Sequence, residues 1–322
     1  MKAIRFDAYG PPDVLRLRDV AVPGVGDGDI LVRVRAASVN PWDWHHMRGK
    51  PYFMRLQAGL TRPRANRLGV DVAGHVEAVG RDVTAFRPGD EVFGFCEEGF
   101  AEYVRIGEPE LVRPKPARLG FEEAAAIPLA AGTALHALRD RARVRAGQRV
   151  LVNGAAGGIG TFAVQIAKAL GAEVTGVCGT GNVELVRALG ADHVVDYSKE
   201  DFARAGRRYD ALIDLVGNRS LSDRLRALTP KGALVPVAPA PGQWIGPLWG
   251  VAKPLLAAPF VRRRLLPFLY APNGDDLATL AGLVESGAVT PVIDRAYPLH
   301  DLPQAVRYLE QGHARGKVVI TV

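Results

Sequence analysis

Residues 149–182 of this chain read RVLVNGAAGGIGTFAVQIAKALGAEVTGVCGTGN and carry its most specific pattern. The apolar residues 150–152 predict a strand, a glycine turn follows, and the amphipathic residues 158–170 predict a helix. Gly171 ends that helix, and residues 173–177 predict a second strand. A strand, a glycine turn and a helix in this order form half of a dinucleotide-binding unit.

The glycine turn, residues 155–160, has the sequence AAGGIG and therefore the pattern A-x-G-x-x-G. Gly157 would let the backbone approach a pyrophosphate, and Gly160 would let the helix lie close on the strand. The first turn of the helix then offers free N–H groups and a positive dipole end to the phosphates. A purely structural turn is the alternative. The residues predicted to bind the cofactor here are Ala156, Gly157, Gly158 and Ile159.

No acidic residue follows the second strand, which ends in Cys178 and continues as Gly179-Thr180-Gly181-Asn182. Sites for NAD usually carry an Asp or Glu at this point, bonded to the ribose hydroxyls. Small and polar residues leave room for a 2′-phosphate and can donate hydrogen bonds to it. The sequence therefore favours NADPH over NADH, with Gly179, Thr180 and Asn182 at the adenosine end. Turn formation is the alternative role of these three residues.

The composition is that of a soluble globular protein, because 48% of the 322 residues are hydrophobic and 23% are charged. This length suffices for two domains. The two cysteines, Cys96 and Cys178, are too few for a disulfide framework or a cysteine-rich zinc site. We therefore expect a reducing, cytoplasmic environment. Residues 1–10 carry charges where a secretory signal needs an apolar run.

The net charge of +7 is modest, and the basic residues are scattered except for the triplet Arg262-Arg263-Arg264. This triplet lies in an apolar segment, residues 244–270. Lys253 and prolines interrupt the segment, so its apolar run is too short to span a bilayer. Weak contact with a membrane surface through residues 244–270 is one prediction. A substrate lid or a dimer contact is the alternative. The basic residues form no nucleic-acid-binding module, so we expect no nucleic-acid partner.

The order of patterns predicts two domains, one of them discontinuous. Residues 30–36 and 72–79 alternate apolar and polar side chains and indicate a compact β-rich barrel. From about Phe121 the chain becomes alanine-rich and then alternates strands and helices, which indicates a doubly wound parallel sheet. The end of the chain predicts a strand over 289–293 and a last strand that returns to the first domain. The predicted boundaries are residues 1–122, 123–270 and 271–322.

Several short segments together give the chain a specific family resemblance over its whole length. It resembles the zinc-free branch of the medium-chain dehydrogenase/reductase superfamily, the quinone oxidoreductase or zeta-crystallin-like proteins. This resemblance implies a Rossmann domain, a GroES-like barrel domain and a homodimer. Besides the glycine turn, the segments that carry it are VNPWD at 39–43, GVDVAG at 69–74, PGDEVFG at 88–94, GFAEY at 99–103, PLAAGTA at 128–134 and GHARGK at 312–317.

The metal ligands of the zinc alcohol dehydrogenases in the same superfamily are replaced in this chain. Gly69-Val70-Asp71 stands where those enzymes carry Gly-His-Glu, and Asn40 stands where they carry the first thiolate. A lone carboxylate without a thiolate or imidazole beside it is no zinc site. The adjacent His45 and His46 would usually point apart. We therefore expect no zinc, and without a Lewis acid the easier chemistry is hydride delivery to a quinone or an α,β-unsaturated carbonyl.

The resemblance also implies roles for individual cofactor residues, most of which have a structural alternative. Thr133 would approach the nicotinamide or its ribose, or cap a helix. Tyr197 would lie near the adenosine end, or pack at the edge of the sheet, and Gly217 would lie over the nicotinamide half. Arg315 and Lys317 would reach back to the cofactor, or form a surface turn before the last strand.

Asn40 and Tyr52 are the candidate catalytic residues. Asn40 would hydrogen-bond a substrate oxygen or the nicotinamide ribose, and Tyr52 would donate to, or stack on, a small flat apolar carbonyl or quinone substrate. A turn before Pro41 and simple packing are the alternatives. The product oxygen can take its proton from water, so the protein itself supplies orientation and excludes solvent.

The sequence therefore predicts a zinc-independent, NADPH-dependent reductase of quinones or activated enones and enals. One alternative is an enoyl-thioester reductase of the polyketide type. The other is a non-catalytic, cofactor-loaded protein acting at a partner or membrane surface.

Overall fold

The computed structural model describes residues 1–107, 109–237 and 263–322, which form two compact units. The first unit contains Met1–Gly132, Pro272–Gly287 and Pro291–Val322, and the second contains Thr133–Ala271 and Ala288–Thr290. The sequence analysis sets the first boundary after residue 122, whereas the structure divides the chain after Gly132. The alanine-rich helix there runs on across the division, so composition does not mark the point.

The first unit is built on strands from both ends of the chain. Its strands are β1 (Lys2–Arg5), β2 (Arg16–Asp19), β3 (Ile30–Val39), β4 (Asp71–Val79), β5 (Glu91–Phe95), β6 (Tyr103–Ile106), β7 (Val112–Pro114), β14 (Ile293–Pro298) and β15 (Lys317–Thr321). Among the described residues, β14-β15-β3-β4-β5-β7 is the order of its seven-stranded sheet, and β6 also pairs with β3. β1 and β2 pair separately. The last strand, β15, is antiparallel to β3, so the two ends of the chain share one sheet.

The sheet of the first unit has the alternation that the sequence analysis used to predict it. In β3 the side chains of Ile30, Val32 and Val34 are buried in one apolar cluster, whereas Arg33 and Arg35 are exposed. The strand expected over residues 289–293 is wrong: β14 begins only at Ile293. Pro291 within the expected run has no N–H to donate to a neighbouring strand.

Both units also contain helices, which lie between their strands in the sequence. In the first unit they are α1 (Pro41–Arg48), α2 (Arg55–Ala58), α3 (Phe121–Ala125), α8 (Gly274–Glu285) and α9 (Leu302–Glu310). α4 (Pro128–Leu135) leads into the second unit, where a π-helical segment, His136–Ala142, continues it. The other helices of the second unit are α5 (Gly158–Ala169), α6 (Val183–Ala188) and α7 (Leu221–Arg226). No helix in the described ranges is long and apolar enough to cross a membrane.

The second unit is a doubly wound parallel sheet, as the sequence analysis predicts. Its strands are β8 (Arg149–Asn153), β9 (Glu173–Cys178), β10 (His193–Asp196), β11 (Tyr209–Asp214), β12 (Leu228–Pro236) and β13 (Arg264–Leu265). They run parallel in the order β10-β9-β8-β11-β12-β13 in the part of the chain that the structure describes. The chain order therefore reverses between β8 and β11, and this switch point is where such sheets bind ligands.

The motif at residues 149–182 folds as predicted. In β8 the side chains of Val150 and Val152 are fully buried, as expected of a central parallel strand. α5 begins at Gly158, and Gly171 (φ +79°) follows it in the left-handed region. A Cβ atom on Gly160 would lie 2.0 Å from the carbonyl oxygen of Gly154, so only glycine lets the helix start this close to the turn.

Candidate functional site

The glycine turn at the start of α5 is shaped to receive an anion. Gly157 is the N-cap residue of α5, and a Cβ atom there would meet only the Gly154 oxygen, at 3.6 Å, within 4 Å. The fold itself therefore does not require glycine at 157, in contrast to Gly160. The amides of Gly158 and Ile159 lie in the first helical turn, where intrahelical acceptors are missing. These amides and the helix dipole suit a pyrophosphate.

A second group of predicted residues meets beyond the carboxyl ends of β9 and β10. Thr180 donates its hydroxyl hydrogen to Asp196 at 2.7 Å. A Cβ atom on Gly179 would lie 3.1 Å from the Tyr197 hydroxyl, so Tyr197 lies against this glycine while 56% of it stays exposed. The side-chain oxygen of Asn182 is shielded from solvent and has no hydrogen-bond partner in the described parts of the chain. This acceptor suits a ribose hydroxyl, which can donate to it, and not a phosphate, whose oxygens only accept.

Asp196 is a residue of this region that the sequence analysis missed. Hydrogen bonds from Ser198 and Thr180 lower the pKa of its carboxyl to about 2, so it is ionised at neutral pH. The sequence pattern for NAD sites concerns only an acid at the end of β9. Asp196 ends the next strand, β10, and pairs in register with Cys178, so the parallel pairing brings its carboxylate to the same edge. The signal that could have found it is the acidic residue within the apolar run VVDY at 194–197.

The switch point between β8 and β11 holds a buried polar cluster. Asn153, the last residue of β8, donates to Asp214, the last residue of β11, at 2.8 Å. Asp214 also accepts hydrogen bonds from the Gly217 amide at 3.0 Å and from Arg224 at 2.9 Å. Gly217 has a φ of +70°, so its left-handed turn is fixed by a buried carboxylate. The sequence analysis selected Gly217 but not Asn153 or Asp214.

Thr133 lies within α4, so the alternative that it caps a helix is wrong. The helix begins five residues earlier, at Pro128, and Thr133 is buried. In the second unit the structure thus brings the predicted residues to two places at the strand ends. The glycine turn lies at the end of β8 and Gly217 follows β11, whereas Gly179, Thr180, Asn182 and Tyr197 lie beyond β9 and β10.

In the first unit, Asn40 and Lys317 belong to one buried network. Lys317 donates to the side-chain oxygen of Asn40 at 2.6 Å and lies 3.7 Å from the Asp71 carboxylate. The side-chain nitrogen of Asn40 donates to Asp71 at 2.9 Å. Asp71 also accepts from the Ser38 hydroxyl at 2.6 Å and from the Leu129 amide at 3.0 Å. The alternative that Lys317 forms a surface turn is wrong, since only 4% of it is exposed.

The network also fixes the orientation of the Asn40 side chain. Its nitrogen donates to the Ser38 carbonyl at 3.2 Å as well as to Asp71, and its oxygen accepts from Lys317. Asn40 is 2% exposed. Both amide hydrogens are therefore engaged within the first unit. This arrangement makes Asn40 a residue that holds the β3–α1 junction in place.

Asp43 caps α1 and braces the loop before β4. It accepts from the Asn40 amide at 2.8 Å and from the Gly69 amide at 2.9 Å, and its side chain is fully buried. Burial raises the pKa of its carboxyl from 3.8 to about 7, although the two amide hydrogen bonds oppose the change. Burial also lowers the pKa of Lys317, against the attraction of Asp71.

Tyr52 and Arg315 lie elsewhere on the first unit. Tyr52 begins a 3-10 turn, Tyr52–Met54, and its ring faces the guanidinium of Arg55 at 4.9 Å from the ring centroid. Arg315 is exposed, and its backbone amide donates to Asp294 at 3.0 Å.

The histidines and Cys96 of the first unit contact groups other than a metal-ligand set. In the described ranges, no three His, Cys, Asp or Glu residues come together as metal ligands. His46 stacks on Trp42 and His45 packs against Trp44, so the two imidazoles face different partners. Burial raises the pKa of the Cys96 thiol well above its ordinary value, so it stays protonated.

The fold and the strand-end sites define a nicotinamide-nucleotide-binding oxidoreductase of two units. Two family models match the chain: "Alcohol dehydrogenase GroES-like domain" over residues 26–134 and "Zinc-binding dehydrogenase" over residues 189–320.

Individual proteins match over nearly the whole chain. The 2-methylene-furan-3-one reductase of Solanum lycopersicum is 37% identical, over 99% of this chain and 79% of its own. The chloroplastic NADPH-dependent alkenal/one oxidoreductase of Arabidopsis thaliana is 35% identical over the same shares. The quinone oxidoreductase structure from Coxiella burnetii has 35% identity and a TM-score of 0.86, covering 100% of this chain and 99% of its own. The chain therefore belongs to the quinone oxidoreductase branch of the medium-chain dehydrogenase/reductase superfamily.

Proposed function

We propose that this oxidoreductase uses NADPH, without zinc, to reduce the conjugated double bond of an enone or enal, or a quinone. The single observation that carries the proposal is the glycine turn, where position 157 holds a glycine although no described residue lies close enough to require one. The relatives whose names specify quinones, a methylene-furanone and alkenals or alkenones support this substrate class.

The residues of the second unit fit a dinucleotide at three points. Residues 156–159 would hold the pyrophosphate, and Gly179, Thr180, Asn182 and Tyr197 would hold the adenosine ribose and its 2′-phosphate. The turn that Asp214 fixes at Gly217 would border the nicotinamide, as would Thr133. A reduced nicotinamide, when bound, supplies the hydride. NADPH rather than NADH is favoured because no acid follows β9, while Asp196 on the next strand opposes this preference.

The first unit contributes orientation and exclusion of water in this proposal. The network of Lys317, Asn40 and Asp71 holds the junction after β3 rigidly. Tyr52, on the following segment, would donate to or stack on a flat carbonyl substrate. The quinol oxygen, or the enolate that hydride addition to an enone forms, would take its proton from water, so no buried acid of the chain is needed. A conjugated substrate needs no Lewis acid because conjugation already makes the accepting carbon electron-poor.

The remaining properties of the proposal come from the sequence. We propose a cytoplasmic homodimer that binds no nucleic acid. A weak membrane contact through residues 244–270 is also proposed, but residues 238–262 lie outside the described residues. Arg264, a described residue of the segment 244–270, donates to the carbonyl of Arg141 at 3.0 Å.

Stopped-flow oxidation of NADPH tests the proposal. The panel contains quinones, enals, enones and an enoyl thioester, each with a chelator present. Simple alcohols are tested in the reverse direction with NADP⁺, once with the chelator and once without it after zinc is added. We expect turnover of quinones or of enones and enals, and slower turnover with NADH. Turnover of simple alcohols alone, and only after zinc is added, would refute the proposal. Turnover of the enoyl thioester alone would favour the polyketide-type alternative.

A further inference from the structure

A short loop of the first unit exposes large apolar side chains. In α2 and the turn after it, Leu56 is 70% exposed and Leu60 is 68% exposed. The amide of Arg64 donates to the Ala58 carbonyl at 2.7 Å, which closes the loop behind Leu60. We call residues 55–64 the basic loop. Its two leucines contribute little to the apolar core of the described chain, because most of their surface faces water.

The base of the basic loop is fastened to the unit. The Tyr9 hydroxyl donates to the Gly59 carbonyl at 2.7 Å, and the Arg55 guanidinium lies over the Tyr9 ring, 4.4 Å from its centroid. These contacts hold the start and the middle of the loop, whereas Leu56 and Leu60 stay outside. The loop therefore presents its apolar side chains on a fixed support.

The basic loop is also electrostatically unbalanced. It contains Arg55, Arg62 and Arg64 and no acidic residue. In the part of the chain that the structure describes, none of these three arginines has a carboxylate within ion-pair distance, whereas Arg67, just beyond the loop, pairs with Glu98 at 3.3 Å. Arg62 and Arg64 are exposed. The field of these cations is therefore available to an anionic partner.

We propose that the basic loop binds the surface of an anionic lipid bilayer. Leu56 and Leu60 enter the boundary between headgroups and acyl chains, and Arg62 and Arg64 contact lipid phosphates. A bilayer surface rewards both features at once, because it offers an apolar layer directly beneath a layer of negative charge. The proposal is independent of the proposed reaction and concerns a different segment from residues 244–270.

Co-sedimentation of the full chain with vesicles tests the proposal. Vesicles of phosphatidylcholine with phosphatidylserine are compared with vesicles of phosphatidylcholine alone. Each arginine near an anionic surface strengthens binding about fivefold, so we expect the double variant Arg62→Gln/Arg64→Gln to bind about 25-fold more weakly. The variant Leu56→Ser/Leu60→Ser should lose at least about tenfold, since each buried leucine side chain adds apolar binding energy.

The matched control is Arg16→Gln/Lys231→Gln, which removes the same charge from exposed positions outside the loop. It should bind the anionic vesicles within about twofold of the original chain, since neither residue belongs to the basic loop. Far-UV circular dichroism and the thermal unfolding midpoint, measured for every variant, report folding separately from lipid binding.

Any of four results would overturn the proposal. The first is a chain that does not pellet with anionic vesicles. The second is a control variant that loses as much binding as the loop variants, which indicates net charge alone. The third is binding to polyglutamate but not to vesicles, which identifies an acidic polypeptide as the partner. Loss of binding only when Arg262, Arg263 and Arg264 are replaced would assign the contact to residues 244–270 instead.

Discussion

Replacing Lys317 with methionine removes the buried ammonium that joins Asn40 to Asp71. The substitution keeps the length and apolar stem of the side chain but removes its donors to Asn40, at 2.6 Å, and its ion pair with Asp71, at 3.7 Å. Asp71 is then a carboxylate with no exposed surface and no neighbouring cation in the network.

The expected loss of unfolding free energy follows from the burial of Asp71. Removing one partner of a buried ion pair costs about 3–5 kcal/mol, because the other charge is left uncompensated. Asp71 retains hydrogen bonds from Ser38, Asn40 and the Leu129 amide. We therefore expect a loss near the lower end, about 3 kcal/mol. The double variant Lys317→Met/Asp71→Asn removes both charges, so its loss should be smaller than the sum of the single losses by about 2 kcal/mol.

Urea denaturation followed by tryptophan fluorescence measures these losses, since Trp42 and Trp44 lie on α1, directly after Asn40. NADPH affinity is measured on the same variants. A loss below about 0.5 kcal/mol for Lys317→Met, with no coupling to Asp71, would refute the reasoning. If stability were unchanged while NADPH affinity fell, Lys317 would instead contact the cofactor, as the family resemblance implies.

Gly157→Ala should leave the melting temperature nearly unchanged and weaken NADPH binding at least about tenfold, because its Cβ meets little protein but obstructs a pyrophosphate. Gly160→Ala should instead destabilise the fold, because its Cβ would lie 2.0 Å from a carbonyl oxygen. Equal effects of the two substitutions in calorimetry and titration would contradict this division. Between pH 4 and 7 the folded chain keeps the proton on Asp43 that the unfolded chain loses, since the pKa is about 7 rather than 3.8. Stability should therefore fall as the pH rises, by about 1.4 kcal/mol per unit from this group, and Asp43→Asn should flatten the slope in urea titrations; an unchanged slope would argue against it. Asp196→Asn removes a charge beside Thr180 and should raise the ratio of NADPH to NADH affinity about fivefold, whereas a lower ratio would place the 2′-phosphate elsewhere.

The sequence was sufficient where the determinants are local. The glycine turn, α5 and the flanking strands follow from residues within 149–182, and the structure confirms each of them. The alternation of residues 30–36 likewise predicted β3. In each case the period of the side chains and the glycines that end an element are properties of neighbouring residues.

The polar networks could not be read in the same way. Lys317 and Asn40 are separated by 277 positions, and their contact exists only because β15 pairs with β3. Asn153 and Asp214 meet because β8 and β11 are neighbours across the switch point. A single sequence gives no register between distant strands, so these partners could be predicted only after the sheet order was known.

The most direct test of the account follows a deuterium atom from NADPH to the product. The enzyme, with a chelator present, reduces an enone using NADPH labelled at one of the two C4 positions, and the product is examined by NMR. The account predicts deuterium at the β-carbon of the enone from one labelled position and none from the other. Deuterium at the carbonyl carbon, or no NADPH oxidation with any enone or quinone, would contradict it.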